Sequence, residues 1–348
     1  MTNRRNSAVP FSALKMNLWT LLTVTALAKW AHSCPDLCSC SFTPSGAEVT
    51  CSESSLTHFP VDGLPSITTQ LYIQSTKLSS VAASHLSAVP LLKYLQLYNN
   101  NLTSLPSDLL TDVPHLETLD LTRNRLVHLA PNIFSHASLR GLVLKDNLFE
   151  KADAEWFPGN SGLTWLDLSG NRLSGVSTAL LQKLPNLDNL DLSDNSLQDL
   201  QPDALESLHR LQTLNLAGNN LTSLSSTIFT NNLNLSQLFL QENKLRDLPA
   251  TLLQGLQHLE YLLLNNNQLQ RFPSGLLGDR KSSFRMILIG NPWVCDEKME
   301  YLWKWLTAYR QNVIFLEEVT CAEPEALKSR PVISLTESEL GLHKMENQ

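Results

Sequence analysis

The sequence offers no constellation for catalysis. Its nine histidines include no HExxH pair, no GxSxG is present, and its repeated aspartates have neither a histidine nor a water-excluding cleft beside them. An enzyme is the reading with least support, and the sequence calls for no cofactor and no metal. Cysteine is missing from the long middle of the chain. Cys34, Cys38, Cys40 and Cys51 stand at one end, Cys295 and Cys321 at the other. Long apolar runs are missing too. Leu18 to Leu27 is too short to span a membrane, and no later stretch reads as a membrane helix or a lipid-anchor tail. Basic charge is scarce, with 26 Lys and Arg against 33 Asp and Glu in 348 residues. That balance argues against nucleic acid and anionic membrane surfaces, and towards basic partners or plain solubility, while the missing apolar runs argue against membrane insertion.

What the chain has is a period. Residues 163–173 read LTWLDLSGNRL, with leucines at the first, fourth, sixth and eleventh places and Asn171 at the ninth. The asparagine returns as Asn100, Asn124, Asn147, Asn195, Asn219, Asn243, Asn267 and Asn291, and Thr76 holds the place one step earlier. The step is 24 residues, with a single step of 23 before Asn147. This is the LxxLxLxxNxL signature of a leucine-rich repeat. It predicts an α/β solenoid: a horseshoe of about ten 24-residue repeats with a parallel concave sheet and disulfide-stapled N- and C-terminal caps.

The domains follow. Residues 1–33 read as a signal peptide, with Arg4, Arg5 and Lys15 leading the apolar run. Cleavage is expected after Ala28 or Ser33, Ser33 being preferred, and Met16 is a second candidate start. Without that segment 22 basic residues face 33 acidic ones, a net charge of −11. Residues 34–66 form a cysteine cap, 67–290 the repeats, 291–330 a C-terminal cap and 331–348 a flexible tail. The CxxxCxC run is read as disulfide-forming, with metal binding a minor alternative; spacing leaves the pairing open.

Within a repeat, the L-x-L core makes a short strand whose leucines point inward and whose middle residue points out. Each buried leucine contributes roughly 1.5–3 kcal/mol. A bulky residue near the nineteenth place closes the convex side: Phe134, Phe157, Leu181, Leu205, Phe229, Leu253 and Leu277. The asparagines are framework, since an amide supplies both a donor and an acceptor to a turn that buries its backbone. After the repeats, Asp296 is a candidate helix cap, and Met299, Leu302, Trp303 and Leu306 form one stripe. Trp293 and Trp303 are expected over the last coil and Trp305 is expected to be exposed.

Function is sought on the concave face, where a solenoid holds variable side chains on a rigid sheet. Its central column reads Tyr72, Gln96, Asp120, Val143, Asp167, Asp191, Asn215, Phe239, Leu263, Ile287. One feature is acidic: Asp120, Asp167 and Asp191, flanked by Asp188, Asp194 and Glu117. Strands stand about 4.8 Å apart, so Asp167 and Asp191 are neighbours whose repulsion a basic partner would relieve. The plainer alternative is a solvated face, and Arg123, Arg140 and Lys145 are placed to neutralise part of the field. No EF-hand-like loop frames these carboxylates, which leaves calcium a minor reading. The second feature is apolar: Phe239, Leu263 and Ile287 in succession, with Tyr261 beside them, as at protein contacts. For Ile287 burial under the C-terminal cap is the expectation. Tyr94, Tyr98 and Trp165 are isolated aromatic candidates. Three glycosylation sequons occur, at Asn101, Asn220 and Asn234; the first two follow a ladder asparagine at an outward tenth place.

The segments CPDLCSC and EVTC resemble the N-terminal flanking module of extracellular leucine-rich repeat proteins; LDLTRN, GLVLKDN, LDLSGNRL, GNPWVCD and CAEPEALK resemble secreted vertebrate leucine-rich repeat glycoproteins of plasma, from which the four-cysteine N-terminal cap departs, theirs carrying two. The resemblance implies Cys34 paired with Cys40 and Cys38 with Cys51, and a C-terminal module carrying Cys295 and Cys321. It implies an extracellular, acute-phase plasma protein that modulates transforming-growth-factor-beta signalling and angiogenesis by binding receptors or accessory receptors. It also implies binding of cytochrome c, a basic ligand that the acidic column would suit. The alternative is a matrix-binding protein, or the carrier or stabilising subunit of a secreted complex.

Overall fold

The computed structural model describes residues 33–278 and 282–342. The expected signal peptide, apart from Ser33, lies outside the described residues. Strand β1 (Cys38–Thr43) forms an antiparallel hairpin with β2 (Gly46–Cys51), and β2 pairs in parallel with β3 (Thr68–Ile73). Among the described residues, nine three-residue strands follow, one per coil. They are β4 (Tyr94–Gln96), β5 (Thr118–Asp120), β6 (Gly141–Val143), β7 (Trp165–Asp167), β8 (Asn189–Asp191), β9 (Thr213–Asn215), β10 (Gln237–Phe239), β11 (Tyr261–Leu263) and β12 (Arg285–Ile287). All twelve lie in one sheet in sequence order. The parallel register pairs residues one repeat apart, as in Asp167 with Asp191, and absorbs the short step by pairing Asp120 with Val143.

The strand leucines face a continuous core. Leu166, Leu190, Leu214 and Leu238 are at most 1% exposed. The expected closing residues of the convex side, Phe134, Phe157, Leu181, Leu205, Phe229, Leu253 and Leu277, are all buried. Phe134 and Phe157 meet with ring centroids 5.1 Å apart. Among the described residues the convex side carries two short helices, α1 (Ala83–Leu86) and α2 (Thr178–Gln182), a 3₁₀ helix at Ala154–Trp156, and otherwise turns. Pro106, Pro249 and Pro273 open such turns, their carbonyls accepting from Leu109, Leu252 and Leu276 N–H.

The ladder asparagines form the predicted framework. Asn195 Nδ2 donates to Leu168 O (3.0 Å), Leu192 O (3.1 Å) and Ser193 O (3.0 Å), and its Oδ1 accepts from Leu173 N (2.9 Å). Asn219 repeats the pattern one coil on. Thr76 ends the row: its hydroxyl donates to Asn100 Oδ1 at 2.6 Å and accepts from Leu78 N at 3.2 Å.

The disulfides are Cys34–Cys40, Cys38–Cys51 and Cys295–Cys321. The first two tie the hairpin that covers the first coil, where so short a segment has little core of its own. The last joins β13 (Trp293–Val294) to β14 (Cys321–Glu323). Asp296 accepts from Lys298 N at 3.0 Å, capping a single 3₁₀ turn that runs into helix α3 (Glu300–Ala308). Residues 312–314 then pair along β12: Ile314 N donates to Met286 O (2.9 Å) and Asn312 Nδ2 to Phe284 O (2.8 Å). They cover the open edge of the sheet, which an uncapped solenoid would leave free to pair with another chain.

Two expectations for this cap are corrected. Trp305 is not exposed but buried, 6.3 Å edge-on from Phe284 of the last coil and stacked on Tyr309, with its indole donating to Gly278 O. Trp303 is half-buried on another side of α3, donating to Leu335 O at 3.1 Å. The second correction concerns the first part of the expected tail, because residues 331–342 are folded onto the cap, while residues 343–348 lie outside the described residues. Val332, Leu335 and Leu340 are 0%, 4% and 1% exposed, and Val332 N bonds Val319 O. Helix α3 thus lies between the last coil and the tail, which is why two of its faces are apolar.

Candidate functional site

Alternation along the short strands sets two residues per coil on the concave face, and register stacks them into columns. The described structure contains no helix long and apolar enough to cross a membrane, and no group of three His, Cys, Asp or Glu placed to hold a metal ion.

The three column aspartates are half-buried, and each accepts two or three hydrogen bonds within the chain. Asp120 accepts from Thr122 N (2.9 Å) and from Gln96 Nε2 (2.8 Å). Asp191 accepts from Ser193 N (2.9 Å), from Ser193 Oγ (2.6 Å) and, on its other oxygen, from Asn215 Nδ2 (2.9 Å). Asp167 accepts from Ser169 N (2.8 Å) and Oγ (2.6 Å), both on Oδ1. Burial raises the Asp167 carboxyl above its usual range; the Ser169 bonds oppose this, neighbouring Asp191 adds to it, and Lys145 lowers it. Asp188 stands outside the column in an ion pair with Arg210 at 3.3 Å. Val143, assigned to the outward column, is only 7% exposed, since it sits between longer neighbours on β5 and β7.

The aromatic candidates are not all isolated. Tyr94 packs on Tyr72 with centroids 5.2 Å apart, on a diagonal that the column order does not show, since register pairs Tyr94 with Gln70 and Tyr72 with Gln96. Burial, then Asp120 and Tyr72, raise the Tyr94 hydroxyl. Tyr98 accepts from Arg123 NH1 at 2.7 Å, and the guanidinium also lies over the Tyr98 ring and pairs with Asp146. Trp165 is 43% exposed, its six-membered ring reaching over Gly141 of the preceding coil. At the C-terminal end Phe239 and Leu263 are adjacent in register and half-buried, and Tyr261 is 40% exposed. Ile287 is also half-buried, because the cap pairs along its strand. Phe315, just beyond, is 56% exposed at φ 57°, a backbone region that bulky side chains rarely adopt. Nothing in the sequence marked it.

Asn101 and Asn220 lie half-buried on the rim after the strands, where exposure was expected. Asn234 is exposed on the rim before them and donates to His209 O at 2.9 Å. A hollow of about 750 Å³ opens on that same rim, lined in part by Lys93, His115, Glu117, Arg140 and Arg210; of the acidic residues chosen from sequence, Glu117 alone lines it.

A family model described as "Leucine rich repeat" matches residues 68–126, 114–173, 137–197, 161–221 and 209–269. Carboxypeptidase N subunit 2 of Homo sapiens is 39% identical over 57 residues, 16% of this chain and 10% of that protein. The Mus musculus protein of the same name is 36% identical over 66 residues, 19% of this chain and 12% of that one. The match thus spans about a tenth of these relatives. Among solved structures, a chain from the octameric complex of Latrophilin 3 (Lec, Olf), Unc5D (Ig, Ig2, TSP1) and FLRT2 (LRR) superposes with TM-score 0.58 at 22% identity. It covers 83% of this chain and 81% of its own length, a likeness of fold.

Proposed function

This chain belongs to the leucine-rich repeat family, and on that premise we propose that it is a secreted, non-enzymatic glycoprotein that binds extracellular or cell-surface proteins through its concave face. The observation that carries this reading is the row of outward aromatic and acidic side chains on a rigid twelve-stranded sheet closed at both ends. Three disulfides support an oxidising compartment. The finer proposal rests on the sequence resemblance, which extends to leucine-rich alpha-2-glycoprotein. It is modulation of transforming-growth-factor-beta receptor signalling and angiogenesis, with cytochrome c as a basic ligand.

A glycan wedge tests the surface. Asp191→Thr creates the sequon Asn189-Leu190-Thr at an exposed asparagine in the middle of the sheet. Glycosylated protein is expected to lose receptor ectodomains and cytochrome c, while the same variant without glycan keeps receptor binding. Full retention by a verified glycosylated form removes the concave face from the proposal.

A second reading has one observation in its favour. The local likeness to carboxypeptidase N subunit 2, a protein named as a subunit, supports a carrier or stabilising role in a larger complex. A permanent high-mass complex with a protease at native size in serum would favour it over signalling.

A further inference from the structure

We propose that Trp165 and Asp167 form a receptacle for one guanidinium group of the partner, with the indole stacking on it and the free carboxylate oxygen of Asp167 accepting from it. The proposal rests on the concave-face reading and names the chemistry that one point of that face takes.

An audit of acceptors leads to it. Of the three column aspartates, two have a lateral amide: Gln96 serves the second oxygen of Asp120, and Asn215 that of Asp191. Asp167 has none, because its column neighbours are Val143 on β6 and Asp191 on β8. Both Ser169 bonds fall on Oδ1, so among the described residues Oδ2 has no hydrogen-bond partner. Nor is Oδ2 among the fully buried polar atoms left without one, so solvent reaches it. Burial already disfavours this charge, and a cation delivered by a partner would relieve it.

The second observation is the aromatic beside it. Trp165 and Asp167 are two apart on β7, so they project on the same face roughly 7 Å apart. Gly141 on the preceding coil has no side chain to lift the indole; a Cβ there would meet its Cε3 at 3.6 Å. A large exposed aromatic surface next to an unfilled acceptor suits a planar cation that stacks and donates at once, which is arginine's geometry more than lysine's.

The chain's own cations leave the position open. Arg123 is held by Asp146 and Tyr98. Arg140 lines the rim hollow. Lys145 acts on Asp167 through space, but among the described residues no ion pair joins them. Arg210 is paired with Asp188.

The test uses acetyl-Gly-Arg-Gly-amide as probe, with lysine and citrulline analogues, on the intact disulfide-bonded protein. The Trp165 indole N–H resonance, assigned by its loss in Trp165→Phe, is followed during titration. The arginine peptide is expected to shift it with an affinity on the order of 1 mM, lysine several-fold more weakly, and citrulline not at all. Asp167→Asn, which keeps an acceptor for Ser169, should weaken arginine binding about tenfold, a larger loss than Asp191→Asn causes. Equal shifts from citrulline, or an Asp167→Asn variant that binds like wild type, overturn the receptacle. If that happens while the glycan wedge still abolishes partner binding, the concave-face reading stands and this anchor alone falls.

Discussion

Asn195→Ala separates the ladder's contribution from ordinary packing. The loss is not one of carbonyl partners. Leu168 O keeps Asn171 and Leu192 O keeps Asn219, while Ser193 O still accepts from Gly170 N. What is lost outright is the acceptor for Leu173 N–H, whose hydrogen bond runs to Asn195 Oδ1. One buried, orphaned N–H costs about 1–3 kcal/mol. Thr76→Ala should behave differently. Leu78 N would lose the Thr76 hydroxyl, but Asn100 Oδ1, released from that hydroxyl, stands where every other ladder asparagine accepts from the coil behind it. We expect less than about 1 kcal/mol for Thr76→Ala. Guanidinium unfolding followed by far-UV circular dichroism, disulfides intact, reads both as shifts in midpoint at constant slope. Equal costs at the two sites would refute the acceptor argument and reduce the ladder to generic burial.

Two further outcomes are expected. Trp305→Ala should cost about 3–5 kcal/mol and Trp303→Ala about 1–2 kcal/mol, read by the same unfolding experiment; the reverse order would return Trp303 to the last coil. Asp167→Asn should stabilise the chain near neutral pH. A carboxyl raised by burial binds its proton more readily in the folded state, so wild-type stability falls as pH climbs from the usual value of 3.8 through the raised folded value. The asparagine variant does not titrate, so the gap in melting temperature should open across that window and hold at higher pH. A gap that is absent or reversed refutes the burial argument.

The horseshoe was legible because every coil repeats the same solution to the same problem. Ten copies of one spacing leave no freedom about which leucines face in, and the asparagines follow from a turn that must satisfy buried backbone. The C-terminal cap occurs once and has no such redundancy. Its helix offers two apolar stripes, Met299-Leu302-Trp303-Leu306 and Leu302-Trp305-Leu306-Tyr309. Choosing between them required knowing that the tail is a second surface to cover. Val332, Leu335 and Leu340 are too sparse among polar residues to announce this. The concave face was half legible. Register placed Asp120, Asp167, Asp191, Phe239 and Leu263 in one column, but a column read as letters hides which neighbours bond. Gln96 beside Asp120 and Asn215 beside Asp191 give both oxygens of two apparently free charges a partner within the chain.

Those lateral amides change what the acidic column can mean. Two of its three carboxylates fit a structural account, since each closes a turn and bonds a lateral amide. At Asp167 the structural account covers one oxygen only, and an asparagine there would serve Ser169 equally well while offering its amide to Asp191. A residue whose charged form burial disfavours, at a place where a neutral isostere would do the structural work, fits the receptacle proposed for it. Asp167→Asn is expected to give a paired outcome: higher stability near neutral pH together with weaker capture of a guanidinium. If the substitution instead lowers stability, Asp167 is a framework residue like Asp120 and Asp191, and the specificity of this face must be sought among Trp165, the Tyr72–Tyr94 pair and the Phe239–Leu263 patch.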